Sequence, residues 1–311
     1  MRFKITRVAR QAAVLSVAAA MTATVLVGCS AGDSATPAAS DAPAAGASGS
    51  TDSALHDMLP ADIKAAGVLK VGTEAFYPPF EYLDTDNITV IGLDMELFNK
   101  IGEELGLKVE VTNMAFDGLL PALDTKRIDV VAAAMTDTVA RQKKYDFVDY
   151  FLTGQGIVVP AGNPKNITGI DSLCGLNVSA LEGSVQVDML EQFNTDQCKS
   201  KPIVVTALAT DADAMLQVQS GRADASFSQD AVARFNVEAK GGSGKFEVAN
   251  KEPLLPVLTG PMFTKSNSEL RDAVKAAVEK LIADGTYADV LAQYKVESGA
   301  VKEPTVNAGT Q

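Results

Sequence analysis

The sequence predicts an α/β protein of two lobes, and three patterns predict it. From Ala61 onward, apolar strand-like runs alternate with helical periodicity. The same theme begins afresh after Gly156. The last helices follow Phe263 with no new sheet of their own, so they are expected to return and cover the first lobe.

Taken in order, Val68 to Gly72 reads as a strand, and Asp94 then caps a helix whose apolar face is Leu97, Phe98, Ile101 and Leu105, ended by Gly106. Lys108 to Val111 is the next strand. Asp117 caps a short helix in which Pro121 is tolerated in the first turn. Ile128 to Met135 forms a third strand, apolar on both faces, as in a parallel sheet covered by helices. Beyond Gly156 come strands at 157–159, 176–180, 203–205 and 223–228, with helices at 184–193 and 211–220 between them. The closing helices span 269–283 and 287–294. This predicts a first lobe from residues 61–154 plus 260–296, a second lobe from 155–259, and a C-terminal tail at 297–311. The chain then crosses between lobes twice, at Thr153-Gly154-Gln155 and at Val257 to Gly260, as two hinge strands.

Arg2, Lys4, Arg7 and Arg10 precede an uncharged run from Gln11 to Val27, the pattern of an export signal over residues 1–28. The run stops at Leu26-Val27-Gly28-Cys29, which resembles the lipobox of bacterial lipoproteins. That resemblance implies cleavage before Cys29 and a diacylglycerol on its thiol. Residues 29–60 then form a tether, rich up to Ala54 in Ala, Ser, Gly, Pro, Thr and Asp with nothing periodic to bury. As a flexible coil of about 30 residues it spans about 30 Å, enough to hold a globular body clear of a membrane surface. The expected location is therefore extracytoplasmic, with a lipid anchor in the membrane.

Without the export signal, 23 basic residues face 39 acidic ones, a formal charge of −16. Nucleic acid is a poor partner for such a chain. Once Cys29 is lipidated, Cys174 and Cys198 are the remaining thiols, and export sets them in an oxidising medium where a disulfide is the natural inference. Two Cys cannot build a structural zinc site and the single His, His56, falls in the tether, so neither a metal nor a cofactor is expected.

Four segments of the body carry a resemblance. They are Val71-Gly72-Thr73-Glu74-Ala75-Phe76-Tyr77-Pro78-Pro79-Phe80-Glu81, Gly92-Leu93-Asp94-Met95-Glu96-Leu97, Phe116-Asp117-Gly118-Leu119-Leu120-Pro121-Ala122-Leu123, and Met135-Thr136-Asp137-Thr138-Val139-Ala140-Arg141 running on to Tyr145-Asp146-Phe147. In order and spacing they resemble the amino-acid-binding proteins of ABC importers, the bacterial extracellular solute-binding proteins of family 3, over about residues 61 to 295. The resemblance implies a periplasmic-binding-protein (flytrap) fold of two α/β sandwich lobes joined by two hinge strands. It also implies a monomer that takes an amino-acid-like ligand in the cleft and hands it to an ABC permease.

It further implies a set of ligand contacts. Arg141 would receive the ligand carboxylate through paired charge-assisted hydrogen bonds. Thr136, at the end of its strand, would contact the α-amino or carboxylate group, beside Ala133 and Ala134, which stand where many relatives have hydroxyl residues. Glu182-Gly183-Ser184-Val185 resembles a turn that aims a helix N-terminus at the carboxylate, with Ser184 as N-cap and Val185 contributing its N–H. The ligand ammonium needs an acid: Asp230 is one residue late for the family position, which falls on Gln229, and either can be the contact. Tyr77 and Phe116 resemble the two aromatic walls, and Glu74 stands where an acid faces the ligand side chain.

Two other classes compete with the binding protein. An exported dehydratase-like enzyme on the same fold would need acid or base work from Glu74, Asp230, Glu182 or a Tyr. With no His in the body and no free Cys expected, a nucleophilic triad is missing, and a non-enzyme is expected. A ligand-binding sensor module would use the same cleft as a transport protein.

Overall fold

The computed structural model describes residues 52–239 and 242–311. The export segment, Cys29 and the tether up to residue 51 lie outside them. Two short helices, α1 (Ser53–Asp57) and α2 (Ala61–Ala66), lead into β1 (Val68–Thr73). The tether expected to reach residue 60 thus ends sooner. The Asp52 carboxylate accepts from the backbone N–H groups of Ala54 and Leu55 and pairs with Lys280 at 3.0 Å. Leu59 is buried in the core alongside. A single capping acid and one buried leucine therefore anchor a stretch whose composition reads as coil.

Next come the hairpin strands β2 (Phe76–Tyr77), β3 (Glu81–Leu83) and β4 (Val90–Ile91), the helix α3 (Leu93–Leu105) and β5 (Lys108–Asn113). Asp94 does not cap α3, as the sequence suggested. Gly92 takes that place at φ 129°, where a Cβ would lie 2.2 Å from the Phe80 carbonyl oxygen. Asp94 instead turns inward, accepting from Tyr150 Oη at 2.6 Å and from the Ala134 N–H at 2.9 Å. Asp117 sits in a short 3₁₀ turn (Phe116–Gly118) ahead of α4 (Leu119–Asp124), without a capping bond. The third strand is only β6 (Val130–Val131), because the chain bends at Ala134, whose φ is 43°.

After the one-turn helix α5 (Val139–Gln142), β7 (Tyr145–Pro160) runs for 16 residues, far beyond the strand expected at 157–159. Asp146 and Asp149 break its apolar pattern and disguised it, yet both are buried. The second half of the chain supplies β8 (Asn177–Leu181), α6 (Val185–Asp196), β9 (Val204–Leu208), α7 (Asp211–Gln219), β10 (Ala225–Gln229), α8 (Asp230–Glu238), β11 (Phe246–Val248) and β12 (Leu254–Thr259). Then follow β13 (Met262–Thr264), α9 (Ser268–Ala283), α10 (Thr286–Gln293) and β14 (Ala300–Val306).

The result is a two-lobed flytrap. In one lobe β1 pairs in parallel with β5 and β6, and β13 joins β6 to the start of β7. In the other β8 pairs in parallel with β9 and β10, and β10 joins the end of β7. Strands β7 and β12 run antiparallel through the middle, Phe151 opposite Thr259 and Gln155 opposite Leu254. Gly154 is required there, because a Cβ would come within 2.6 Å of the Leu254 carbonyl oxygen. Leu270, Val274, Val278 and Leu281 of α9 share one core with Phe98 and Ile101 of α3, so the closing helices cover the first lobe.

Residues 297–311 are not a free tail. Strand β14 pairs with β7, Val306 opposite Val148. Beyond it the Gly309 N–H donates to Asp137 at 2.7 Å and the Ala308 N–H to Asp149 at 3.0 Å. The segment carries few large apolar residues, so no periodicity announced it; what it offers is hydrogen bonds to buried acids.

Cys174 and Cys198 form a disulfide at a Cα separation of 5.1 Å, at the edge of the second-lobe core. The double variant Cys174→Ala/Cys198→Ala is expected to lose about 3 kcal/mol on the chain-entropy account of a loop this long. Urea unfolding with a reduced wild-type control measures it, and matching midpoints for oxidised and reduced protein would refute it.

Candidate functional site

In open α/β sheets, sites form beyond the carboxyl ends of parallel strands. Here β1 ends on Thr73 ahead of Glu74, β8 ends on Leu181 ahead of the Glu182-Gly183-Ser184 turn, and β10 ends on Gln229. These ends converge on a cavity of about 20 Å³ lined by Glu74, Tyr77, Phe116, Ala134, Thr136, Arg141, Ser184, Val185 and Gln229. Glu81, Ala133, Leu181 and Gln186 complete the lining.

The cavity lies in the seam between lobes, and hydrogen bonds cross it. Gln229 donates from its backbone N–H to Tyr77 Oη at 3.2 Å, and from Nε2 to the Ala134 carbonyl at 2.9 Å and Thr136 Oγ1 at 3.4 Å. Arg141 donates from Nη1 to the Thr136 carbonyl at 2.9 Å and from Nη2 across the seam to the Gly183 carbonyl at 3.5 Å. Those two bonds aim a guanidinium that retains further N–H groups for a planar acceptor. Burial lowers the Arg141 pKa while Asp188 and Asp137 oppose the shift, and a guanidinium stays charged regardless.

Ser184 precedes α6, but its Oγ donates back to the Leu181 carbonyl at 2.6 Å and makes no capping bond. No side chain therefore caps the N–H groups that open this 12-residue helix, and Val185 and Gln186 of that first turn line the cavity. Gln186 is held by Nε2 donating to Gln155 Oε1 at 2.7 Å. Phe116 reaches over from the other lobe, and a Cβ on Gly183 would touch its ring at 3.8 Å.

Asp230 is not in this lining. Its carboxylate accepts from Arg234 Nε at 2.7 Å and Nη2 at 2.9 Å, and from Asn250 Nδ2 at 3.3 Å. It faces a separate groove of about 1150 Å³ that also contains Arg234, Phe235 and Pro253. The reason is helical geometry: Asp230 is the first residue of α8 with Arg234 one turn on, while Gln229, the last residue of β10, points into the seam. No bulge displaces the pattern. Of the two candidates the sequence left open, Gln229 is the one in the cleft.

Buried polar atoms without partners separate the small cleft from the large groove. Among the described residues, four of the eight such atoms, Glu74 Oε1 and Oε2, Glu81 Oε2 and Gln229 Oε1, belong to the cleft; Thr73 Oγ1, Asp149 Oδ1, Gln155 Nε2 and Ser226 Oγ lie outside its lining, and none of the eight belongs to the groove. Glu74, 2 % exposed, is pushed up to about 7 by burial and then by the Asp211 charge. Glu81 lies well above the carboxylate range, through burial first, then Asp94 and Glu74. Asp94, raised to about 6 by burial, supports the site from behind, because its bond to the Ala134 N–H holds that residue in the left-handed region.

Sequence reasoning missed Glu81, Gln186 and Leu181. Glu81 lies within one of the recognised segments, so its acid could have been read beside Glu74. Gln186 and Leu181 carry no signal of their own, being in the cleft only because of where β8 ends and α6 begins. Among the described residues no group of three His, Cys, Asp or Glu side chains is placed to hold a metal ion, and no helix is long and apolar enough to cross a membrane.

Comparison with known proteins bears on the family and the fold. The model of the family described as bacterial extracellular solute-binding proteins, family 3, matches residues 69–297. The L-cystine-binding protein TcyA of Bacillus subtilis is 30% identical over 243 residues, 78% of this chain and 86% of that one. An ancestral arginine-binding protein bound to arginine superposes with a TM-score of 0.68 at 34% identity, covering 73% of this chain and 98% of the other. An ancestral amino-acid-binding protein described as a precursor of cyclohexadienyl dehydratase superposes at 0.66 with 29% identity, covering 75% and 97%.

Proposed function

The chain belongs to the bacterial extracellular solute-binding proteins of family 3, and from that premise we propose that it captures a polar amino acid or amino-acid derivative in the seam between its lobes. The observation that carries this reading is the lining itself: one aimed guanidinium, Arg141, and unpartnered buried acceptors on Glu74 and Gln229 around a single small cavity. Arg141 takes the carboxylate in a bidentate grip, helped by the uncapped start of α6. Thr136 supplies its hydroxyl, Ala134 and Val185 line the space through backbone and apolar surface, and Tyr77 and Phe116 sandwich the aliphatic part. Ser184 positions the turn.

A cavity of about 20 Å³ is far smaller than a ligand-binding pocket, so loading requires the lobes to part about β7 and β12. Ligand then bridges Arg141 in one lobe with the start of α6 in the other, contacts that exist together only in the closed form. The closed form is the one presented to an ABC permease. The protein works as a monomer held outside the cytoplasm by lipid on Cys29. Calorimetry with a panel of amino acids and simple derivatives is expected to find at least one ligand binding with one-to-one stoichiometry, and the absence of any would refute the reading.

A second reading has one observation in its favour. Glu74 is poised near neutral pH in a closed cleft, as a general acid would be, and one structural relative is described as a precursor of a dehydratase. Binding without chemistry remains the proposal, since the two acids of the cavity, Glu74 and Glu81, are both pushed upward by burial and neither is held as a base. Recovery of the ligand unchanged after prolonged incubation distinguishes the two.

A further inference from the structure

The turn that carries Arg141 has little support of its own. Helix α5 is four residues long, and a single helical turn does not hold itself. Thr138 Oγ1 accepts from the Arg141 N–H at 3.2 Å, and the Gln142 N–H donates to the Thr138 carbonyl at 2.9 Å. Within its own lobe the guanidinium is anchored on the Thr136 carbonyl.

Further support comes from residues 309–311, far away in sequence. The Val139 N–H, which opens α5 and has no partner inside it, donates to the Gln311 main-chain oxygen at 2.9 Å. Gln142 Nε2, at the other end of the turn, donates to the Gly309 carbonyl at 2.8 Å and to Asp137 Oδ1 at 2.9 Å. The Gly309 N–H donates to Asp137 Oδ2. Asp137 is buried, directly follows Thr136, and is fixed on its other side by its N–H donating to the Leu258 carbonyl at 2.9 Å. Both ends of α5 and the residue after Thr136 are thus tied to one short segment. The bonds from Val139 to Gln311 and from Gln142 to Gly309 satisfy no acid; what they fix is the turn. The fit is close, since a Cβ on Gly309 would fall 2.2 Å from the Asp137 carbonyl oxygen. None of residues 309–311 lines the cavity.

We infer that residues 309–311 are a positioning element for the solute site, holding α5 so that the Arg141 fork meets a carboxylate in register. A bidentate pair depends on angle as well as distance, and a side chain on an unsupported turn loses that geometry first. This rests on the reading that the cleft takes a carboxylate solute at Arg141. Gly309 matters because any side chain there wedges the segment off Asp137.

Gly309→Ala tests it, because one methyl group displaces the segment without touching the cavity lining. Gly309 lies outside the left-handed region, so alanine brings the clash and no backbone strain. Ala308→Gly is the control, since it adds no atoms and keeps the N–H that Asp149 accepts. Calorimetry with the common amino acids and their simple derivatives first finds the tightest ligand of the wild type. Gly309→Ala and Gln142→Ala are each expected to weaken it by about tenfold, and Ala308→Gly by less than about twofold, with melting curves verifying the folds. In an Arg141→Lys background the Gly309→Ala loss is expected to shrink to about twofold, because an ammonium on a flexible stem does not depend on the orientation of the turn. Hydrogen exchange read by mass spectrometry needs no ligand. It is expected to quicken across residues 138–142 in Gly309→Ala while residues 148–151 of β7 stay protected. Unchanged affinity in Gly309→Ala, an undiminished loss in the Arg141→Lys background, or unchanged exchange at 138–142 overturns the inference and leaves the cleft as the solute site. No binding of any ligand by the wild type overturns the solute reading and the inference with it.

Discussion

A chain ended after Gly299 is expected to lose about 4 kcal/mol or more of stability, from the hydrogen bonds it would remove from three buried acids. Asp149 loses two donors, while Asp137 keeps Gln142 and Asp146 keeps Lys265 and Arg271. Asp137, Asp146 and Asp149 are all buried. The closing segment supplies the Gly309 N–H to Asp137, Asn307 Nδ2 to Asp146, and Thr305 Oγ1 and the Ala308 N–H to Asp149. Hydrogen bonds to charged groups contribute about 1.5–3 kcal/mol each, and water entering the exposed site offsets part of the loss. Strand β14 adds its ladder with β7, and Asn307 Oδ1 accepts from the Phe147 N–H at 2.9 Å. Burial already holds Asp149 up at about 7, so its charge depends on these donors. Urea unfolding of the truncated and full chains measures the difference. A loss below about 1 kcal/mol would mean that the segment merely lies on the surface.

Arg141→Ala is expected to weaken binding of a carboxylate ligand by about a hundredfold or more. Removing one partner of a desolvated charge pair costs about 2–5 kcal/mol, and tenfold in affinity corresponds to about 1.4 kcal/mol. The fold should tolerate the change, since the side chain's bonds in the structure are two donations to backbone carbonyls, those of Thr136 and Gly183. Arg141→Lys keeps the charge but not the planar fork, and should fall between the two. Calorimetry with the ligand identified for the wild type reads all three. Unchanged affinity in Arg141→Ala would remove the carboxylate from this end of the cleft.

Legibility from sequence followed how local each cause was. Periodicity was enough for α3, α9, β1 and β8, because one face of each element is apolar over its own length. It failed for β7, where Asp146 and Asp149 interrupt the apolar run and are satisfied only by residues more than a hundred positions later. It failed again for Asp94, a plausible cap whose actual partners are Tyr150 and Ala134. In the cleft, resemblance placed Arg141, Thr136, Tyr77 and Gln229 among candidates that the structure brings together. Asp230 was drawn in by its resemblance to the family's acid, one residue out of place, and by the ammonium's need for a counter-charge, and its i, i+4 partner Arg234 was present in the sequence as a warning.

The sequence by itself determined the class of this protein: two α/β lobes, a paired Cys174 and Cys198, and a cleft family with an arginine at its centre. Those features rest on patterns that one segment carries complete, such as a periodic face or a contiguous motif. Only the tertiary structure decided which acids face the cleft, that Gln229 stands where an acid was sought, and that residues 300–306 close the sheet as a strand. Each of these depends on which side a chain presents after a turn, and that direction is set by partners far away in sequence.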